Sequence, residues 1–200
     1  MAINVCNDRS MASITSLPSG VSGSSLVLIS EQTASSSATI DFTSNIDDTY
    51  NEYVFKFINI HPATDQVQFK AGFRDGGSSY DATKTTAAFY GYHKEDDSAT
   101  ALSYDTGSDL AQSTGSQVVL SQMGNDNDQN SSGYLHLFAP SNTTFVKHFI
   151  GRGSVCMDAD AIVDWYVAGY CNTTTAIDGV QFSMSSGNID SGVIKMYGVV

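Results

Sequence analysis

Between Gln66 and Arg74 the chain reads QVQFKAGFR, and its side chains alternate without a break. Val67, Phe69, Ala71 and Phe73 fall on one side, Gln66, Gln68, Lys70 and Arg74 on the other. A period of two marks a strand with one face in a core and one against water or a polar partner. Similar runs recur roughly every ten to twenty residues, bounded by turn-forming clusters of Gly, Ser, Asn and Asp. Helical spacing is nearly absent, so this chain must bury its apolar residues between sheets.

In the first half the expected strands are Ser24–Ser30, Ala38–Thr43, Glu52–His61, Gln66–Arg74 and Thr85–His93. Glu52–His61 is apolar on both faces and reads as a central strand. In the second half they are Gln117–Gln122, Tyr134–Phe138, Thr144–Ile150, Asp164–Cys171, Gly179–Met184 and Gly192–Val199. Between the two sets, Lys94–Ser116 reads as a polar loop with one helical turn near Ser108–Gln112. Gly151-Arg152-Gly153 reads as a breaker. No strand–helix alternation is present, which excludes a parallel α/β sheet. The expected fold is all-β: an antiparallel two-layer sandwich, jelly-roll-like, of about ten to twelve strands.

The chain of 200 residues fits one such domain. Residues 24–200 are assigned to the sandwich. Residues 1–23 are set apart, because Pro18-Ser19-Gly20-Val21-Ser22-Gly23 is a joint and the segment before it is only thinly apolar. Ile3, Val5, Ile14 and Leu17 give that segment enough apolar surface to dock on a neighbour, so it reads as an attachment arm. The opening MAINVCNDRSMASI lacks the apolar core of a signal peptide, so synthesis without its own export signal is expected.

Nine Lys and Arg against 21 Asp and Glu leave a net charge of −12. Nucleic-acid binding needs clustered cations, and none is seen, so no nucleic acid is expected as a partner. Docking on anionic lipid is disfavoured for the same reason, and the longest apolar run, Leu26–Ile29, is far too short to span a bilayer. Three cysteines, Cys6, Cys156 and Cys171, without a C-x-x-C pair argue against a disulfide scaffold or a zinc site. Cys156 and Cys171 either face each other across a hairpin or remain free thiols.

No hydrolase elbow, zinc helix or P-loop occurs. Asp126, Asp128 and Asn130 have the alternating spacing that opens a calcium loop. Ser131 then stands where that loop needs Gly, and Leu137 where it needs the closing Glu, so a plain Asn/Asp turn accounts for the segment and no metal is expected. His136 and His148 lie in neighbouring expected strands and would approach if those strands paired. Glu95, Asp96 and Asp97 form an acidic run that only a cleft would make into a glycosidase pair. Tyr80, Tyr90, Tyr92 and Tyr104 are candidates for a sugar-binding surface, as they are for ordinary packing. No catalytic residue and no cofactor are assigned.

Several segments resemble small virion proteins of tailed bacteriophages, especially marine and cyanobacterial phages. They are Ala38–Asp65, GSDLAQ at 107–112, GNDNDQ at 124–129, TTFVKHF at 143–149, VAGYCNTT at 167–174 and the closing QFSMSSGNIDSGVIKMYGV at 181–199. The resemblance implies a non-enzymatic structural protein of the virion. It would sit outside, as capsid decoration or in a tail or fibre appendage, touching other virion proteins. A homo-oligomer, first of all a trimer, is the expected assembly. The alternative is a carbohydrate-binding module for host surface glycan.

Overall fold

The computed structural model describes residues 25–200. The arm expected over residues 1–23, with Ile3, Val5, Ile14 and Leu17, lies outside the described residues. So does Cys6.

Twelve strands and no helix make up the described chain: β1 (Leu26–Ser37), β2 (Thr39–Phe42), β3 (Glu52–Pro62), β4 (Val67–Arg74), β5 (Lys84–Lys94), β6 (Thr100–Tyr104), β7 (Gln117–Met123), β8 (Ser131–Phe138), β9 (Lys147–Met157), β10 (Ala161–Cys171), β11 (Gly179–Met184) and β12 (Ile189–Val199). Every pairing between them is antiparallel. The fold is all-β, as the sequence reading expects.

Four pairs are nested inside one another: β1 with β12, β2 with β11, β3 with β8 and β4 with β7. This nesting is that of a jelly roll. One layer runs β7-β4-β11-β2. The other begins β1-β12-β3-β8, and β9, β10, β5 and β6 extend it to eight strands. A single pair, Met123 with Met157, joins the layers, so the sheet nearly closes on itself.

The core lies between the layers and is built on phenylalanine. Phe42, Phe69 and Phe182 come from the four-stranded layer, Phe55 and Phe57 from β3. The alternation first read in Gln66–Arg74 is present: Val67, Phe69, Ala71 and Phe73 are buried, while Gln68 and Lys70 are partly exposed. The strand ends at Arg74, and in the turn that follows Gly76 and Gly77 take φ of 102° and 74°. Only glycine adopts such angles without strain.

Three readings need correction. Gly151-Arg152-Gly153 does not break β9, which runs through it with strict alternation of buried and exposed residues. Both glycines face inward. A Cβ on Gly153 would sit 2.1 Å from Leu120 Cδ2, so the missing side chain leaves room for a residue of β7. Lys94–Ser116 contains strand β6, which pairs with β5. No helical turn forms at Ser108–Gln112; Lys84 and Ser113 instead exchange backbone hydrogen bonds and tie this segment to β5.

The inner face also buries cations. Lys84, Cys171 and Lys147 are cross-strand neighbours on β5, β10 and β9, and all three are fully buried. The Lys84 ammonium donates to Ala82 O at 2.5 Å, and that of Lys147 to Phe145 O at 3.2 Å and Thr173 O at 3.0 Å. Loss of solvent pushes both ammonium groups below the ordinary lysine range and pushes the Cys171 thiol up to about 12. Cys156 and Cys171 are free and stand at opposite ends of the β9–β10 hairpin.

These shifts set opposite pH dependences. The folded chain bears the cost of the charged Lys84 at neutral pH and recovers it as pH rises through the lowered value towards the ordinary 10.5. Cys171 ionises in the unfolded chain from its ordinary 9.0 but in the folded chain only near 12, so it removes stability across that window. Lys84→Met keeps the length and removes the charge. It should be more stable than the parent at pH 7 by about 1–2 kcal/mol. Because the parent recovers its loss at high pH, the advantage should shrink towards pH 10.5. Urea melts at the two pH values measure this; a variant less stable at pH 7 would show that the bond to Ala82 outweighs the desolvation.

Candidate functional site

In a strand paired on both sides, each residue has two cross-strand neighbours on its own face. Following those partners through the eight-stranded layer gives one continuous row on the outer face. Glu31 of β1 pairs with Lys195 of β12, and Lys195 with Lys56 of β3. Lys56 pairs with Tyr134 of β8, and Tyr134 with Arg152 of β9. Arg152 pairs with Tyr166 of β10, Tyr166 with Phe89 of β5, and Phe89 with Tyr104 of β6. The half from β1 to β3 is charged, and the half from β10 to β6 is aromatic.

Contacts within the row fix its side chains. Arg152 makes a two-pronged bond to Asp164, Nε–Oδ1 at 2.9 Å and Nη2–Oδ2 at 2.8 Å. Its guanidinium also lies 4.8 Å from the centre of the Tyr166 ring. Phe89 stacks on Tyr166 from β5, on the other side of β10, with centroids 4.6 Å apart and planes 5° from parallel. Tyr166 is thus clamped between Arg152 and Phe89. The Tyr166 hydroxyl donates to Asp164 at 2.9 Å. The bond from Arg152, then that from Tyr166, holds the Asp164 carboxyl below the usual range, and the same carboxylate pushes the Tyr166 phenol up.

The charged half is held less firmly. Lys195 bridges to Glu31 at 2.8 Å, and Lys56 lies 5.3 Å from the centre of the Tyr197 ring. Two lysines directly opposite one another on adjacent strands repel, so this arrangement is locally unfavourable. Around the row, Ile150, Ile162 and Leu102 are 49%, 45% and 78% exposed. This face is broad, shallow and apolar-to-aromatic, with charge concentrated at one end.

The residues singled out from sequence lie elsewhere. Asp126, Asp128 and Asn130 are exposed in the turn between β7 and β8. The buried Gln129 side chain closes that turn, accepting from the Asp126 amide at 3.1 Å and donating to Met157 O at 3.2 Å. Among the described residues, no three His, Cys, Asp or Glu gather as metal ligands. His136 bonds Glu52, while His148 lies against Tyr170 on β10. Glu95, Asp96 and Asp97 form the β5–β6 turn, tied to the β9–β10 turn through the Glu95 amide and Asp160 O. Of the four tyrosines, Tyr104 belongs to the outer row. Tyr90 turns inward to stack on Trp165, Tyr92 packs beside it, and Tyr80 lies near Arg74.

Sequence reasoning missed Tyr134, Arg152, Asp164, Tyr166 and Phe89. The one available signal was in β9: His148, Ile150, Arg152 and Ser154 alternate with Phe149, Gly151, Gly153 and Val155. No protein family, curated protein or solved structure matches this chain.

Proposed function

We propose that this chain is a non-enzymatic structural protein of a tailed-phage particle, displayed on the outside as capsid decoration or as part of a tail or fibre appendage. The observation that carries the reading is the outer face itself. Two inserted hairpins widen one layer of a jelly roll into a platform with exposed apolar and aromatic residues. A surface of that kind serves contact with another protein. The resemblance of segments such as 181–199 to phage virion proteins, read from the sequence alone, supports the particle as the setting.

A glycan-binding role draws on the same exposed aromatics. Sugars stack on open ring faces, and Tyr166 has Arg152 on one side and Phe89 on the other. Tyr104 and Tyr134 are 51% and 37% exposed and remain available. Protein docking accounts for the clamped rings, so we favour it. Antibody labelling of intact, purified particles tests the reading, and labelling at regular outer positions is the expected result. Absence of the chain from the particles would overturn it. A specific hit on a glycan array, lost in Tyr134→Ala, would favour the carbohydrate-binding module instead.

A further inference from the structure

The outer row has an internal order that points to its occupant. Numbered across the sheet, its charged and aromatic positions are mirror-related about the gap between β8 and β9. Consider a twofold axis lying in the interface, parallel to the strands and centred on that gap. It lays the row on a reversed copy of itself. Tyr134 then faces Arg152 of the other copy, and Lys56 faces Tyr166. Lys195 faces Phe89, and Glu31 faces the Tyr104 hydroxyl. Three of the four set a cation opposite an aromatic position; at the fourth the Tyr104 hydroxyl already donates to Asp109 at 2.8 Å, so Glu31 gains no bond there. We propose that this face is the interface of a twofold dimer of the chain.

Three further observations support a second copy as the occupant. The first is charge. With a net charge of −12, two copies repel over most of their surfaces. This row collects Lys56, Lys195 and Arg152, a third of the chain's nine basic residues. The second is the repulsion between Lys56 and Lys195. It is relieved if Lys56 meets, across the interface, the Asp164 carboxylate that lies beside Tyr166. The third is area. Seven gaps of about 4.8 Å make the face about 34 Å wide. Three alternate rows along the strands give about 20 Å of length. Their product, roughly 700 Å² per copy, approaches the ~800 Å² per partner of a stable interface. The other in-plane axis, perpendicular to the strands, sets Lys56 on Lys56 and is disfavoured.

The inference goes beyond the virion reading and stands or falls separately from it, because it concerns the isolated chain. Light scattering on the full chain over a concentration series should give twice 21.3 kDa. Tyr166→Lys places lysine against Lys56 and should weaken the dimer at least tenfold. Adding Lys56→Tyr exchanges the two members of the pair and should restore most of the affinity. In the parent, Lys56 and Lys195 should acetylate more slowly at high protein concentration than at low, whereas Lys94, at the end of β5, should not change. A monomer at all concentrations or a trimer overturns the proposal. So does equal weakening in the single and double variants, or acetylation of Lys56 that is independent of concentration.

Discussion

Phe182→Ala should lower stability by about 3–5 kcal/mol, the range for removing a fully buried phenylalanine. The upper part of that range is expected because four rings converge on this one. Phe57 lies 5.1 Å away, Phe55 and Phe69 5.5 Å, and Phe42 6.2 Å, centroid to centroid. Phe69 is nearly parallel to it at 10°, and the others meet it at 61° to 82°, the arrangements that aromatic pairs favour. The partners come from both layers, so the cavity would open where the sandwich is held together. Neighbouring strands cannot close it without moving their backbones. A urea titration should show a lower midpoint with an unchanged slope. A loss under about 1 kcal/mol would mean the layers collapse into the space, against the packing described above.

How much of this fold could be read from sequence depended on what each strand faces. β4 was legible because one face meets the core and the other meets solvent, which writes the pleat directly into the residue types. The end of β1, EQTASSS, was not: as an edge strand it has water on most sides, and only Ala34 in that stretch is buried. β6 was lost for the same reason, since none of its five residues is buried. β9 failed differently. Its inner face carries Gly151 and Gly153, so the alternation is present but half of it has no side chains to show it.

The outer row was illegible for a deeper reason. Its members run in sequence from Glu31 to Lys195, and only the registers of eight strands bring them side by side. No local pattern encodes a register between distant strands. Sequence reasoning instead finds local density, which is why Asp126, Asp128 and Asn130 stood out before being read as a plain turn. The structure explains that density as a turn locked by Gln129, whose side chain occupies the space that a Cβ on Gly124 would need.

Gly133→Ala should cost about 3 kcal/mol, or roughly 6–12 °C in Tm. Gly133 of β8 pairs directly with Gly153 of β9 on the inner face. A Cβ at Gly133 would lie 2.4 Å from Arg152 O and 2.7 Å from Gly153 Cα. Both are backbone atoms, so relief requires β8 and β9 to separate and their ladder to weaken. Gly153 is also crowded, but its worst neighbour is Leu120 Cδ2 at 2.1 Å, the end of a side chain. The two substitutions should therefore respond differently to a second change. Leu120→Ala costs stability alone, yet it should absorb part of the Gly153→Ala penalty, giving a combined loss smaller than the sum. It should do nothing for Gly133→Ala, where the losses should add. Thermal melts of the three single variants and the two doubles decide the matter. If Leu120→Ala rescues both glycine variants equally, the obstruction at Gly133 is not backbone and the close β8–β9 approach is not what this residue protects. Because Tyr134 and Arg152 flank these glycines on the opposite face, Gly133→Ala should also disturb the outer row at its centre, where the proposed dimer axis lies.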